Sequence, residues 1–306
     1  MSNLALRRVP VIALAMLLAA CGSIPTDQQL TTFAAATTAL SGSARQAIDS
    51  SNQAVVQRKL RETAELGAGV NDALFTPLVS GDPYDKRVQL LDALQRYAAA
   101  LDALAHADNR QQIESAATDL GGALDSLGER YSAVAGKSNP FANDGALVAG
   151  IVAAVGEAVS EQRRRDGIRL AIETQHPGML EVLPVLRNEL GSDGVFATAQ
   201  INYADGEVAT LMSRYNADHE ARRLPADPDK RLERLQKIEQ ARDAAADVRQ
   251  LYARLDEALG TLIGAEQALY DVVTAEKKPE DLYGAVARLA DSAQAVKRVR
   301  DRLEKK

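Results

Sequence analysis

A periodic series of apolar side chains between Asp229 and Glu276 restricts the possible folds of this chain more than any other feature of its sequence. The series advances in alternating steps of four and three residues, which is the spacing of the contact face of a coiled coil. A helix of about fifty residues is roughly 70 Å long, so it must pack against long partners, and the first and fifth predicted helices are the candidates. Only Glu266 departs from the apolar type in the series Ala241, Ala245, Val248, Tyr252, Leu255, Leu259, Leu262, Glu266, Leu269 and Val273.

Six further segments carry apolar residues at helical spacing. Thr26 or Asp27 is expected to cap the first helix, and Asp227 or Asp229 the helix that contains the series, because a side-chain oxygen there accepts hydrogen bonds from free backbone N–H groups. The predicted helices are 28–74, 84–105, 110–135, 144–175, 179–222, 229–276 and 278–303.

Proline and glycine indicate where these helices end. The residue before a proline avoids helical geometry, so the fourth helix is expected to end at His176-Pro177-Gly178. The fifth segment is expected to be divided at Pro184, Gly191, Gly194 and Gly206. Aromatic residues make up 4% of the chain and tryptophan is absent, which favours closely packed helices over a sheet. The sequence predicts an all-α fold, an elongated bundle of about six or seven long antiparallel helices with coiled-coil-like packing.

The N-terminus has the organisation of a short export signal. Arg7 and Arg8 precede an apolar run from Val11 to Leu18, and small residues follow it. The run is far shorter than the roughly 20 residues that span a bilayer, which disfavours a transmembrane helix and favours a cleaved signal. An ordinary secretory signal does not explain why the only cysteine of the chain, Cys21, stands directly after the small residues.

The segment Leu18-Ala19-Ala20-Cys21 resembles the lipobox of bacterial lipoproteins. The resemblance implies cleavage before Cys21, lipidation of its thiol and anchoring of the chain in a membrane. An aspartate after the cysteine favours the inner membrane in that family, so Gly22-Ser23 implies the outer membrane, with the body in the periplasm. The expected organisation is a signal peptide over 1–20, a lipidated tether over 21–27 and one helical-bundle domain over 28–306.

The charge of the chain disfavours nucleic-acid binding, and its single cysteine excludes stabilisation by an internal disulfide. Removing Arg7 and Arg8 with the signal takes the formal charge from −6 to −8, and an acidic body disfavours nucleic acid as a partner because phosphate binding needs clustered cations. A chain with one cysteine forms no internal disulfide, so its stability must come from packing.

Residue patterns for catalysis or metal binding are incomplete. Glu173 and His176 have the Glu-x-x-His spacing of di-iron bundles, but that architecture needs a second such pair, and His176 is expected to be a solvated helix cap. Gly136-Lys137-Ser138 matches the end of a phosphate loop, yet Tyr131 stands where the leading glycine belongs. The sequence therefore predicts a protein that is not an enzyme and takes no metal or cofactor; an active site assembled in space is the weakest alternative.

The feature of the sequence that points most directly to a function is an uncharged stretch over 145–156, followed by an arginine cluster. Small residues allow close approach of helices, and clustered arginines meet anionic lipid, an organisation that resembles helical pore-forming toxins. The alternative is a buried core helix, for which the length is typical. The candidate membrane or partner contacts are Gly145, Leu147, Gly150, Ile151, Arg163, Arg164 and Arg165.

These features predict an outer-membrane-anchored periplasmic lipoprotein whose helical bundle binds a protein partner or supports the cell envelope. The alternative function is that of a membrane-active protein that uses the apolar segment 145–156.

Overall fold

The computed structural model describes residues 25–142, 144–155 and 160–304. Within these ranges the chain forms eight α-helices and one short 3₁₀ helix, without a strand, which confirms the all-α prediction. The α-helices are α1 (Asp27–Leu66), α2 (Asp82–Ala105), α3 (Arg110–Ala135), α4 (Asp144–Val155), α5 (Glu161–Leu190), α6 (Val195–Glu220), α7 (Pro228–Val273) and α8 (Pro279–Leu303), and the 3₁₀ helix is Asp72–Leu74.

The predicted caps explain where two of the long helices begin. Thr26 Oγ1 accepts a hydrogen bond from the backbone N–H of Gln29 at 3.2 Å, and Gln29 Oε1 accepts one from the N–H of Thr26 at 2.9 Å. Asp227 Oδ1 accepts from the N–H of Asp229 at 2.9 Å at the start of α7. In each case a side chain satisfies backbone donors that the helix leaves without partners.

Helix α7 is the centre of the bundle, and every residue of the periodic series is buried in it. The series contacts shorter helices rather than one partner of equal length: α6 covers the first part of α7, while α5 and α8 cover the rest. Helix α1 packs mainly against α2 and α8 and touches α7 little. The expectation that the first helix is a main partner of α7 is therefore wrong, because the antiparallel hairpin of α7 and α8 occupies that side.

Several predicted boundaries are also wrong. The first helix ends at Leu66, before residue 74, and the predicted helix 144–175 is two helices, α4 and α5. Helix α5 continues through Pro177 and Pro184 to Leu190. A proline inside a helix costs about 3 kcal/mol, and α5 recovers this cost by burying a long apolar face against α7. Only the glycines at 191 and 194 divide the fifth segment, since they lie between α5 and α6.

Gly178 is in α5 because a neighbour approaches the helix closely. A Cβ on Gly178 would lie 2.2 Å from Cε1 of the buried Phe141 ring. The sequence predicts that Gly178 is part of a helix end. In the structure it lies within α5, and the absence of a side chain leaves room for the Phe141 ring.

We therefore expect Gly178→Ala to lower the free energy of unfolding by about 1–2 kcal/mol, because displacing the Phe141 ring outweighs the gain in helix propensity. The matched control is Gly264→Ala in α7, where nothing lies within 4 Å of the added Cβ, and it should stabilise the chain by about 0.5–1 kcal/mol. Urea unfolding followed by circular dichroism measures both. Equal effects of the two substitutions would contradict this explanation of Gly178.

Glu266, the exception in the periodic series, lies fully buried among α2, α5 and α7. Its Oε2 accepts a hydrogen bond from the Tyr97 hydroxyl at 3.2 Å, and that hydroxyl accepts one from Gln175 Nε2 at 2.5 Å. Glu266 Oε1 has no hydrogen-bond partner. Burial raises the pKa of Glu266 from 4.5 to about 7, although the Tyr97 hydrogen bond acts in the opposite direction.

Candidate functional site

Helix α4 buries the apolar residues proposed for membrane contact. Leu147 is 6% exposed and Ile151 is fully buried. Gly150 faces α5 closely, since a Cβ on it would lie 3.0 Å from Leu170 Cδ2. Gly145 lies in the first turn of the same helix. This arrangement favours a buried core helix over a membrane-contacting one for the described part of the stretch.

The arginine cluster is held largely by carboxylates of the chain itself. Arg164 is 13% exposed in its side chain and pairs with Asp27 at the start of α1 at 2.9 Å. Arg165 pairs with Glu161 one turn earlier in α5, and Arg163 is exposed. The cluster therefore lies at the end of the bundle where α1 begins.

The predicted lipidation site, Cys21, lies outside the described residues, as does the whole signal 1–20. No helix among the described residues is both long and apolar enough to cross a bilayer. The anchor stays a prediction from the sequence.

The histidine of the Glu-x-x-His pair is not a solvated cap. His176 is buried inside α5, and its ring stacks on Tyr270 with centroids 3.9 Å apart. Burial lowers its pKa, and the charge of Asp271 partly offsets this shift. Within the described residues, no group of three or more side chains suited to hold a metal occurs.

The part of the described bundle with the least tertiary packing is the hairpin formed by the end of α6 and the start of α7. From residue 205 to residue 240 no side chain is buried. We call these residues the arm. Helices in proteins owe most of their stability to tertiary packing, so a hairpin this exposed is a segment that a partner can stabilise.

Between the arm and the second half of α1 lies a cleft of about 1020 Å³, which we call the arm cleft. Two exposed ion pairs cross from α1 to the arm: Glu62 with Arg214 at 2.9 Å, and Glu65 with Lys237 at 2.7 Å. Exposed pairs of this kind contribute at most about 1 kcal/mol each. These two exposed pairs therefore open at low cost.

The floor of the arm cleft is an ion pair between a buried arginine of α1 and a partly exposed glutamate of the arm. Arg58 is 5% exposed, and its Nη1 lies 3.3 Å from Glu207 Oε2. The two atoms face each other, and neither has a further hydrogen-bond partner among the described residues. The guanidinium lies 5.7 Å from the centre of the Tyr203 ring. Burial raises the pKa of Glu207, and the charges of Arg58 and Arg61 reduce that rise.

The remaining lining is rich in side-chain amides, which carry both donors and acceptors. A polypeptide main chain offers the complementary carbonyl and N–H groups in alternation. No histidine or cysteine is among the described lining residues, so the cleft offers groups for binding and none of the usual nucleophilic pairs. The amides are Gln53, Gln57, Asn202 and Gln240.

None of the arm-cleft residues was a candidate from the sequence. Arg58 and Glu207 lie in different helices and have no local motif. One signal did exist: the periodic series begins at Ala241, whereas the helix was predicted to begin at Asp229. The missing apolar positions before Ala241 indicate a stretch of helix without a packed face.

The chain matches no protein-family model, no curated protein and no solved structure in comparisons with known proteins. Its function must be argued from its own residues.

Proposed function

We propose that the chain is an outer-membrane-anchored periplasmic lipoprotein, a non-enzymatic helical bundle that binds an extended segment of an envelope protein in the arm cleft. The lipobox-like residues ending at Cys21 support the anchor. The pair of Arg58 and Glu207 carries the binding proposal, because its two facing atoms have no partner beyond each other at the floor of an open cleft.

A peptide segment satisfies this floor better than other ligands. A main-chain N–H donates to the partly exposed carboxylate of Glu207, and the carbonyl and N–H groups of the main chain pair with the side-chain amides of the cleft. A glycan would need an open aromatic face for stacking, whereas the guanidinium of Arg58 lies over the ring of Tyr203.

The bundle sets the arm cleft at a distance from the proposed anchor. Helix α1 starts at Asp27, a few residues after Cys21, and Arg58 lies in the same helix. At 1.5 Å per residue the floor of the cleft is about 45 Å from the start of α1. In this arrangement the lipid anchors the end of the bundle where α1 begins, and the arm cleft lies toward the other end of α1.

A peptide-display experiment tests the binding proposal. Peptides selected on the full-length chain in non-ionic detergent are measured against Gly206→Trp, which fills the cleft from a glycine with nothing within 4 Å of an added Cβ. We expect affinity to fall by about tenfold or more, equivalent to losing one or two charged hydrogen bonds. Arg58→Met, which removes the ion-pair partner of Glu207, should act in the same direction.

The matched control is Gly122→Trp, at an exposed helical glycine of α3 that also has open space around it. It should leave peptide affinity unchanged. The binding proposal is wrong if selected peptides bind all variants equally, or if no peptide is enriched by the wild-type chain. Circular dichroism verifies that each variant is folded.

A further inference from the structure

The arm has a second face that the arm cleft does not use. A groove of about 900 Å³ runs between α6 and α7 on a side to which α1 contributes no residue. We call it the outer groove. Three large apolar side chains of this groove are strongly exposed: Met212 by 44%, Leu232 by 52% and Leu235 by 45%. Apolar side chains grouped in a groove with a polar rim are typical of a surface that is covered by another molecule.

The charges on the rim indicate what covers the groove. Asp205 and Arg249 pair with each other near its base. Glu239 and Arg242, one turn apart on α7, also line the groove, but neither has an ion-pair partner within the described part of the chain. When two copies of a helix pack antiparallel, the acidic residue of one copy can lie beside the basic residue of the other. A pair of opposite charges one turn apart on the helix is therefore complementary to the same pair on a second copy.

We propose that the outer groove is the interface of a homodimer in which α7 packs antiparallel to α7 of a second copy. In this arrangement Glu239 faces the partner's Arg242, and the two-fold axis repeats the pair, so that Arg242 faces the partner's Glu239. The same register places Leu235 opposite the partner's Ala246. The two arms together form a four-helix bundle whose core takes up Met212 and Leu235, while Leu232 lies at the level of the second copy's Arg249.

The size of the groove sets the expected affinity. A standard stable interface uses roughly 20–30 residues on each side, and the outer groove offers a smaller face. We therefore expect a dimer with a dissociation constant in the micromolar range. This inference does not depend on the arm cleft, because the two surfaces lie on different faces of the arm and share only Asp243 in their linings.

Charge reversal tests the inference with the full-length chain. Sedimentation equilibrium in density-matched non-ionic detergent should give twice the mass that mass spectrometry measures for the purified chain, at high protein concentration. Glu239→Arg and Arg242→Glu should each weaken dimerisation by about tenfold or more, since each places like charges together at two points. The double variant exchanges the two charges and should restore the dissociation constant to within about threefold of wild type.

Restoration by the double variant supports an antiparallel homodimer, because an unrelated partner or a membrane surface does not change its own charges. Leu235→Lys should abolish the dimer, whereas Glu257→Lys, at an exposed position of α7 outside the groove, should not affect it. A monomer at all concentrations up to about 100 µM, or a double variant as weak as the single ones, would overturn the inference. Thermal unfolding shows that the variants remain folded.

Discussion

Replacing the buried Glu266 with glutamine should raise the free energy of unfolding by about 3 kcal/mol above pH 8 and by almost nothing near pH 4. The side chain has the same shape in both forms and its oxygen still accepts from the Tyr97 hydroxyl. What the substitution removes is the cost of holding a carboxylate charge at a fully buried position. Urea unfolding at a series of pH values measures the difference between the two proteins.

The direction follows from the raised pKa. In the unfolded chain Glu266 loses its proton near pH 4.5, and in the folded chain near pH 7. Between these values the folded state binds more protons than the unfolded state, so this group lowers stability as pH rises. Above about pH 7 the penalty is complete, and below about pH 4.5 it is absent. The variant lacks the penalty throughout, so the two stability curves separate over this window.

The control is Glu257→Gln on the same helix, where the carboxylate is exposed and pairs with Arg254 at 2.6 Å. It should change stability by less than about 1 kcal/mol, without a step between pH 4.5 and 7. A Glu266→Gln chain that is less stable than wild type at alkaline pH would show that the charged carboxylate has partners in the core, contrary to the buried arrangement with Tyr97.

The second large effect concerns Cys21. Serine cannot form the thioether that carries the proposed lipid, so Cys21→Ser should remove the chain from the outer-membrane fraction, reducing its share there by about tenfold or more. Each buried CH₂ of an acyl chain contributes about 0.8 kcal/mol, and stable anchoring takes two or more chains. Density-gradient fractionation and immunoblotting measure the distribution, and intact mass spectrometry measures the modification.

The matched control is Ser23→Ala, which leaves the cysteine in place and should keep the chain in the outer-membrane fraction. The lipoprotein proposal fails if the wild-type chain has the mass of an unmodified thiol. It also fails if the Cys21→Ser chain remains in the outer membrane at the wild-type level. Neither result would affect the predictions for Glu266 or the arm, because these rest on the described bundle.

Local sequence was sufficient for most of the helices and their caps. Helix α3 matches its predicted range, and α7 and α8 match theirs to within a few residues, because apolar periodicity, capping side chains and turn residues act over short distances. The same reasoning failed at Pro177. A proline does disfavour a helix at this position, but the packing of α5 against α7 outweighs that cost. This packing cannot be predicted from the residues near Pro177 alone.

What the sequence alone determined is the helical fold, the buried face of α7 and the prediction of an anchor at Cys21, since each depends on residues close together in the chain. Only the tertiary structure decided which residues meet. Tyr97 reaches Glu266 from α2, and Arg58 meets Glu207 across the arm cleft, because the packing of distant helices sets those distances. The arm cleft and the outer groove are formed between helices, and a linear pattern does not contain the order in which helices pack.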